Sequence, residues 1–496
     1  MRNEPRLSAG DRNFFSQVSR IIFMNPFHEE RAAILDRLTA GQARGPGEPG
    51  TDSILPAVDA KIANLEHKGL GTIARFEGDE RRMMETVFLY QVYHRFVAEL
   101  DKLIERQLQR RTGELSFADE LLGQLGARGF SEQDALRYFA IFYQLRRAFY
   151  FIIRSLVGES ASMRQLRLQL WAAVFTLDMH VYDRHLWNRM EDFATLLLGE
   201  TGTGKESAAA AIGRSAFIPY DRAKRQFAAN FTETFIAINL SQFPENLIES
   251  ELFGHRRGAF TGAVDNHRGV FEACSAHGAL FLDEIGEVGV PIQIKLLRVL
   301  QERTFTPVGS HELRRFAGRV IAATNRPLSA LRRQGNFRDD FFYRLCSDVI
   351  TIPSLRQRLE ELPAELEQLV NLVVARIIGE ERAEVTSMVL DRLRHTLPAG
   401  YAWPGNVREL EQAVRRILLI NRYDPATAMA VSDPAEELAQ QVRDGTLSVP
   451  ELLNRYCAQL YRRFGTYEEV ARRAGLDRRT AKKYLRSVVP PASAKN

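Results

Sequence analysis

Apolar positions recur at helical spacing through the first third of the chain. Leu89, Tyr93, Phe96, Leu100, Leu103 and Leu108 form one such row, and Leu136, Phe139, Phe142, Leu145, Phe149 and Ile152 form a second. Both predict long amphipathic helices. Ser131 followed by Asp134 resembles a capping box and predicts the start of the second helix. The Gly/Pro-rich run at 41–50 predicts a loop. From about residue 158 the pattern changes. Short apolar runs at 194–199, 234–239, 278–284 and 319–325 each end in polar residues and alternate with helical stretches. That alternation predicts βαβ units around a parallel sheet, whose ligands bind at the carboxyl ends of the strands. Helical patterning resumes over 360–421, softens at 422–447 and returns over 448–489. A multidomain chain is expected: a helical N-terminal region (1–157), an α/β region to about 354, a helical part at 355–421, a linker, and a terminal helical element.

Composition narrows the class. With 496 residues, 45% hydrophobic and 26% charged, the balance is that of a globular chain. No run of ~18 uninterrupted apolar residues occurs; the most apolar region, 135–157, is broken by Arg137, Arg146, Arg147 and Arg154. The first residues lack a signal-peptide core, and Cys274, Cys346 and Cys457 show no disulfide or zinc spacing. A cytoplasmic protein without a membrane segment is expected. The net charge is +5, yet residues 461–486 alone hold nine Lys or Arg against three acids. Such a concentrated patch points to nucleic acid. His28, His67 and His94 are weighed as a metal or ligand site, and Arg146–Arg147 as an anion site. For each, a packed or solvated helix face is the favoured reading.

Gly199-Glu200-Thr201-Gly202-Thr203-Gly204-Lys205 fits G-x-x-x-x-G-K between an apolar run and an Ala-rich helical one. Glycines let backbone N–H groups wrap phosphates, the helix start adds its dipole, and Lys205 reaches the terminal phosphates. Glu206 stands where a Mg²⁺-contacting Ser/Thr is usual. The run Leu280-Phe281-Leu282-Asp283-Glu284 ends in two acids, as a second phosphate-site strand should. Asp283 is the candidate for holding Mg²⁺, and Glu284 for polarising the attacking water. ATP and Mg²⁺ are the expected cofactors.

Residues 158–421 resemble the AAA+ domain of bacterial enhancer-binding proteins, the ATPases that activate sigma-54 RNA polymerase. The most specific residues are Gly258-Ala259-Phe260-Thr261-Gly262-Ala263, preceded by Glu251-Leu252-Phe253-Gly254-His255. In that family this hexapeptide tips a loop that touches sigma-54, and Walker A also ends in Lys-Glu, which accounts for Glu206. The resemblance further implies a sensor I role for Asn325, trans-acting fingers at Arg338 and Arg344, and sensor II at Arg408. It implies that Asn239 pairs with the catalytic glutamate. A finger in trans requires a homo-oligomer, from dimer to hexameric ring.

Three features depart from the family pattern. Residues 216–231 look like an extra surface element between Lys205 and Asn239. Arg256 replaces a commonly acidic residue and adds positive charge beside the loop. The stretch 177–194 is longer than expected. The C-terminus resembles a Fis-like helix-turn-helix: a first helix over 466–476 ending at Gly475, then a second capped by Asp477. Arg478, Arg479, Thr480, Lys482 and Lys483 would face enhancer DNA, with Ala481, Tyr484 and Leu485 packed inward or beside the groove. The N-terminal region does not resemble a receiver domain, and an unidentified ligand or regulatory protein remains its expected partner. Two other readings are weighed: a different AAA+ machine, against which the 258–263 loop and the terminal helices speak, and a decayed DNA-binding regulator, against which the intact ATPase residues speak.

Overall fold

The computed structural model describes residues 7–38, 54–110, 115–398, 400–424 and 447–485 apart from 465, together with 438 and 442. The loop at 41–50, most of the linker and residues 486–489 lie outside the described residues. The chain divides into a larger unit, Met1–Ser387 with Ala402–Val414, and a smaller one, Met388–Tyr401 with Arg415–Asn496.

The larger unit opens with helices α1 (Ala9–Phe23), α2 (Glu29–Leu38), α3 (Leu55–His67), α4 (Gly78–Arg95), α5 (Val97–Leu108), α6 (Ala118–Ala127), α7 (Glu132–Ser155) and α8 (Ala161–Phe175). Ser131 caps α7 by accepting the Asp134 N–H at 3.1 Å, as the capping pattern requires. The stretch 177–194 folds into α9 (Met179–Val181), a π-turn and a 3₁₀ turn, with Tyr182 buried.

The strands follow: β1 (Thr195–Leu198), β2 (Tyr220–Asp221), β3 (Gln226–Phe227), β4 (Phe235–Asn239), β5 (Ala279–Asp283), β6 (Thr304–Phe305), β7 (Arg314–Arg315), β8 (Arg319–Thr324) and β9 (Asp348–Thr351). Five form one parallel sheet in the order β4-β5-β8-β1-β9. The apolar runs read from sequence supply four of them; β9 is a short edge strand without a strong apolar signal. Interleaved are α10 (Lys205–Gly213), α11 (Glu245–Phe253), α12 (Val270–Ala273), α13 (Val290–Glu302), α14 (Leu328–Arg333) and α15 (Asp339–Leu345). Next come α16 (Leu355–Glu361), α17 (Glu365–Ile378), α18 (Ala383–Thr396) and α19 (Asn406–Ile420).

Side chains alternate across the pleat. Leu196, Leu280 and Leu282 enter a cluster with α11, α13 and α15. Leu197 and Phe281 enter another, and that cluster is continuous with the N-terminal helices from Leu7 onward. The helices before residue 157 therefore share a core with the sheet.

Residues 216–231, expected as a surface element, are corrected by this packing. β2 and β3 form a small antiparallel hairpin whose Tyr220, Phe227 and the following Phe231 are buried. Phe227 stacks on Tyr143 of α7 at 4.0 Å, and Phe231 meets Phe151 edge-on at 5.4 Å.

In the smaller unit, α20 (Val449–Phe464), α21 (Tyr467–Ala474) and α22 (Arg478–Leu485) close around Cys457, Val470, Ala481 and Leu485. Among the described residues no helix is long and apolar enough to cross a membrane.

Candidate functional site

The 199–205 loop joins the end of β1 to the start of α10. Gly202 (φ +80°) and Gly204 (φ +100°) adopt left-handed backbone that a side chain would strain. Gly202 also lacks room: a Cβ there would lie 2.2 Å from the Gly405 carbonyl oxygen. Thr203 Oγ1 donates to the Glu200 carbonyl at 2.8 Å. Lys205 Nζ donates to the carbonyls of Gly199 at 2.9 Å and Glu200 at 3.2 Å. Burial lowers the Lys205 pKa, while Glu284 and Asp283 oppose that shift. Glu206 is exposed in the first turn of α10.

β4 and β5 run in register with Asn239 opposite Asp283. The Asn239 amide accordingly donates to Asp283 Oδ2 at 3.3 Å, so its partner is the aspartate and not Glu284 as expected. Glu284 sits at φ +55°, just past the strand. Its Oε2 accepts the Asn325 N–H at 3.4 Å, and the Asn325 amide donates to Thr201 Oγ1 at 2.9 Å. Burial raises the pKa of both acids. Three strand ends thus bring Asn239, Asp283, Glu284 and Asn325 to the phosphate loop. Asp283 offers hard carboxylate oxygens next to a buried lysine, a donor set that suits Mg²⁺.

The arginines divide. Arg408 is exposed and its backbone N–H reaches the Gly202 carbonyl at 3.4 Å; its charge is felt at Lys205 and Asp283. Arg338 pairs with Asp340 at 2.7 Å. Arg344 donates twice to the Leu300 carbonyl, at 3.0 and 2.7 Å. Within one chain neither of these two bonds to the acidic cluster.

Sequence reasoning missed Asn406. Fully buried at φ +53°, it donates to Glu200 Oε2 at 3.0 Å and the Thr201 carbonyl at 3.1 Å, and accepts the Leu355 N–H at 2.7 Å. The available signal is its place two residues before Arg408, the residue that the resemblance assigns to sensor II.

Residues 258–263 form the tip of a loop between α11 and α12. Its base is pinned by reciprocal bonds between His255 and His267, at 3.0 and 2.9 Å, and its tip by Gly258 N–H to the Ala263 carbonyl at 2.9 Å. Gly258 (φ +80°) and Gly262 (φ +103°) turn the chain. Phe260 and Thr261 are exposed, while Ala263 is buried. Arg256 does not leave a free charge beside the loop, because Glu312 pairs with it.

A match to the Sigma-54 interaction domain covers residues 180–352. NtrC of Azospirillum brasilense is 44% identical over 226 residues, 46% of this chain and 43% of that protein. The Nif-specific regulatory protein of Azotobacter vinelandii is 33% identical over 393 residues, 74% of this chain and 67% of that protein. The chain belongs to the sigma-54-dependent activator family. It spans about half the length of the first curated relatives it matches. The structure of NtrX from Brucella abortus in complex with ADP is similar at 22% identity and TM-score 0.41, over 75% of this chain and 80% of that one.

At the far end of this sigma-54 family member, Asp477 caps α22, accepting the N–H groups of Arg479 at 2.9 Å and Thr480 at 3.0 Å. Gly475 ends α21 at φ +65°. Arg479, Lys482 and Lys483 are exposed, and Arg478 pairs with Glu468 at 2.7 Å. Ala481 and Leu485 face the small core and Tyr484 packs against it.

The three histidines weighed as a metal site do not meet. Among the described residues no cluster of metal-ligating side chains forms. His28 Nδ1 accepts the Glu30 N–H, His67 ends α3, and the His94 ring lies 3.9 Å from that of Tyr90. Nor do Arg146 and Arg147 form a joint anion site. Arg146 pairs with Asp101, and Arg147 is wholly buried in contact with the α10 end.

Proposed function

We propose that this chain is an ATP-driven activator of sigma-54 RNA polymerase. It binds enhancer DNA through residues 448–489, assembles as a homo-oligomer up to a ring, and remodels the closed polymerase–promoter complex. One observation carries the reading. β4 ends on Asn239, which holds Asp283, and the chain then runs through α11 directly into the 258–263 loop. A change at the phosphates has a short covalent route to the element that would touch sigma-54.

Phosphoryl transfer depends on positioning and on positive charge around the γ-phosphate. The loop N–H groups and Lys205 bind the phosphates, with Glu200, Thr201 and Thr203 shaping the loop and Glu206 opening the helix. Asp283 would hold Mg²⁺, which supplies charge neutralisation there. Glu284 accepts a proton from the attacking water, oriented by the Asn325 backbone. Arg408 adds charge in cis. Arg338 and Arg344 of a neighbouring copy would add it in trans, after exchanging Asp340 and the Leu300 carbonyl for phosphate oxygens. Arg479, Lys482, Lys483, Thr480 and Arg478 lie on one basic helix fit for phosphate and base contacts.

Thr261→Ala tests the specific reading. The hydroxyl is exposed on a loop tip, so fold and hydrolysis should be retained, with stability changed by no more than ~0.5 kcal/mol. Capture of sigma-54 with a transition-state nucleotide analogue, and promoter opening, should be lost. Normal capture and opening in this variant would reject the proposal.

A further inference from the structure

The N-terminal helices enclose a cavity of about 120 Å³ between α2, α4, α7, α8 and the turn at Tyr182. Its wall is mostly apolar, with aromatic rings among the aliphatic side chains. Tyr93 and Phe142 meet at 5.3 Å within it, and Trp171 contributes a further face. A dry apolar cavity of ~150 Å³ holds one benzene ring, so this one is of single-ring size.

Its polar groups are few and unequal. Arg146 already has Asp101, and Asp183 already has Arg137. His94 is held neutral, its pKa pushed down to about 4 by burial. Arg31 differs. It is only 8% exposed, its Nε donates to the Ile21 carbonyl at 3.4 Å, and among the described residues no carboxylate forms an ion pair with it. The neighbours that offset its burial are the phenols of Tyr90 and Tyr93. A buried cation without a counter-charge is costly unless an anion completes it.

We propose that this cavity binds a small aromatic carboxylate, its ring among the aromatic side chains and its carboxylate on Arg31. The class follows from the site: one ring for the volume and one negative charge for the guanidinium. Arg–carboxylate recognition is directional and charge-assisted, so the acid is separated from its uncharged amide by the same contact. The cavity shares α7 with Arg147, which holds the end of the helix bearing Lys205.

Calorimetric titration of the full chain with benzoate, phenylacetate, benzamide and acetate tests this. No nucleotide, DNA or sigma-54 is present, so the outcome is independent of the activator reading. At least one aromatic acid should bind with submillimolar Kd, ten-fold or more tighter than benzamide, and acetate should not bind. Arg31→Gln should bring acid and amide within about two-fold of each other. Val97→Phe, which narrows the cavity, should abolish both. Failure of both acids to bind, equal binding of acid and amide by the wild type, or acid binding unchanged in Val97→Phe would each overturn the site. If Arg31→Gln does not fold, the acid–amide comparison and Val97→Phe decide alone.

Discussion

Asn406 has neither charge nor reactivity, yet its side chain makes three bonds that join two segments: two to the phosphate loop, and one to the start of α16 through Leu355. Asn406→Ala would leave the buried Leu355 N–H unpaired, costing about 1–3 kcal/mol, and would free the loop at Thr201. Lower thermal stability and weaker ATP binding are expected together. Unchanged nucleotide affinity would show that the loop holds its shape unaided. Glu284 carries the opposite kind of prediction. Glu284→Gln removes a general base, which contributes typically 10²–10⁴-fold. Turnover should fall by that order while ATP binding persists, and turnover within a few-fold of wild type would remove the role. Burial raises the Glu284 pKa above its ordinary 4.5. The carboxylate accepts a proton only when ionised, so turnover should fall as pH drops through that raised value. A pH profile of kcat should show its acid limb above 4.5. Lys205, Asp283 and Glu284 were legible because their motifs have fixed spacing. Asn406 was not, since its role depends on a left-handed backbone and on partners two hundred residues away.

The same division separates the elements. The main strands were legible in four apolar runs, and α7 in its aromatic row and Ser131 cap. The β2–β3 hairpin was not, because two-residue strands carry no period and their anchors lie on α7. Arg147 was read as part of a packed or solvated face, and its role appears only with its partners. It is fully buried and donates to the carbonyls of Arg214 and Ala216, both at 2.7 Å, while stacking over Tyr143 at 4.2 Å. Gln144 donates to the Ser215 carbonyl between them at 2.9 Å. Helix α7 thereby satisfies the carbonyls left over at the end of α10, and the positive charge complements that helix terminus. Arg147→Met keeps much of the volume but strands two buried acceptors, at ~1–3 kcal/mol each. Denaturation should show a loss of about 2–4 kcal/mol. A loss below 0.5 kcal/mol would mean that water satisfies those carbonyls and that α7 does not hold the end of α10.

At the scale of the molecule, these contacts decide whether the ATPase part folds without the N-terminal helices. The change in pattern near residue 158 marks a change in architecture but not a break in packing. One apolar cluster runs from Leu7 through α7 and α10 to Ile350 on β9. A further tie crosses the same junction. Arg358, paired with Glu365, donates to the Val157 carbonyl at 2.6 Å. A chain beginning at residue 158 would lose α1–α7 and expose Tyr220, Phe227 and Phe231. Aromatic side chains bury ~150–250 Å² each, and at ~25 cal/mol per Å² three of them represent at most roughly 11–19 kcal/mol. A domain's whole stability is only about 5–15 kcal/mol. The shortened chain should therefore aggregate, or bind a hydrophobic dye without a cooperative thermal transition. Replacing Tyr220, Phe227 and Phe231 together by Ser in that shortened chain removes the exposed apolar surface and should restore solubility. A shortened wild-type sequence that stays soluble, melts cooperatively and hydrolyses ATP would show that the shared core is dispensable. In that case the N-terminal helices would act on a self-sufficient ATPase, and not as part of its core.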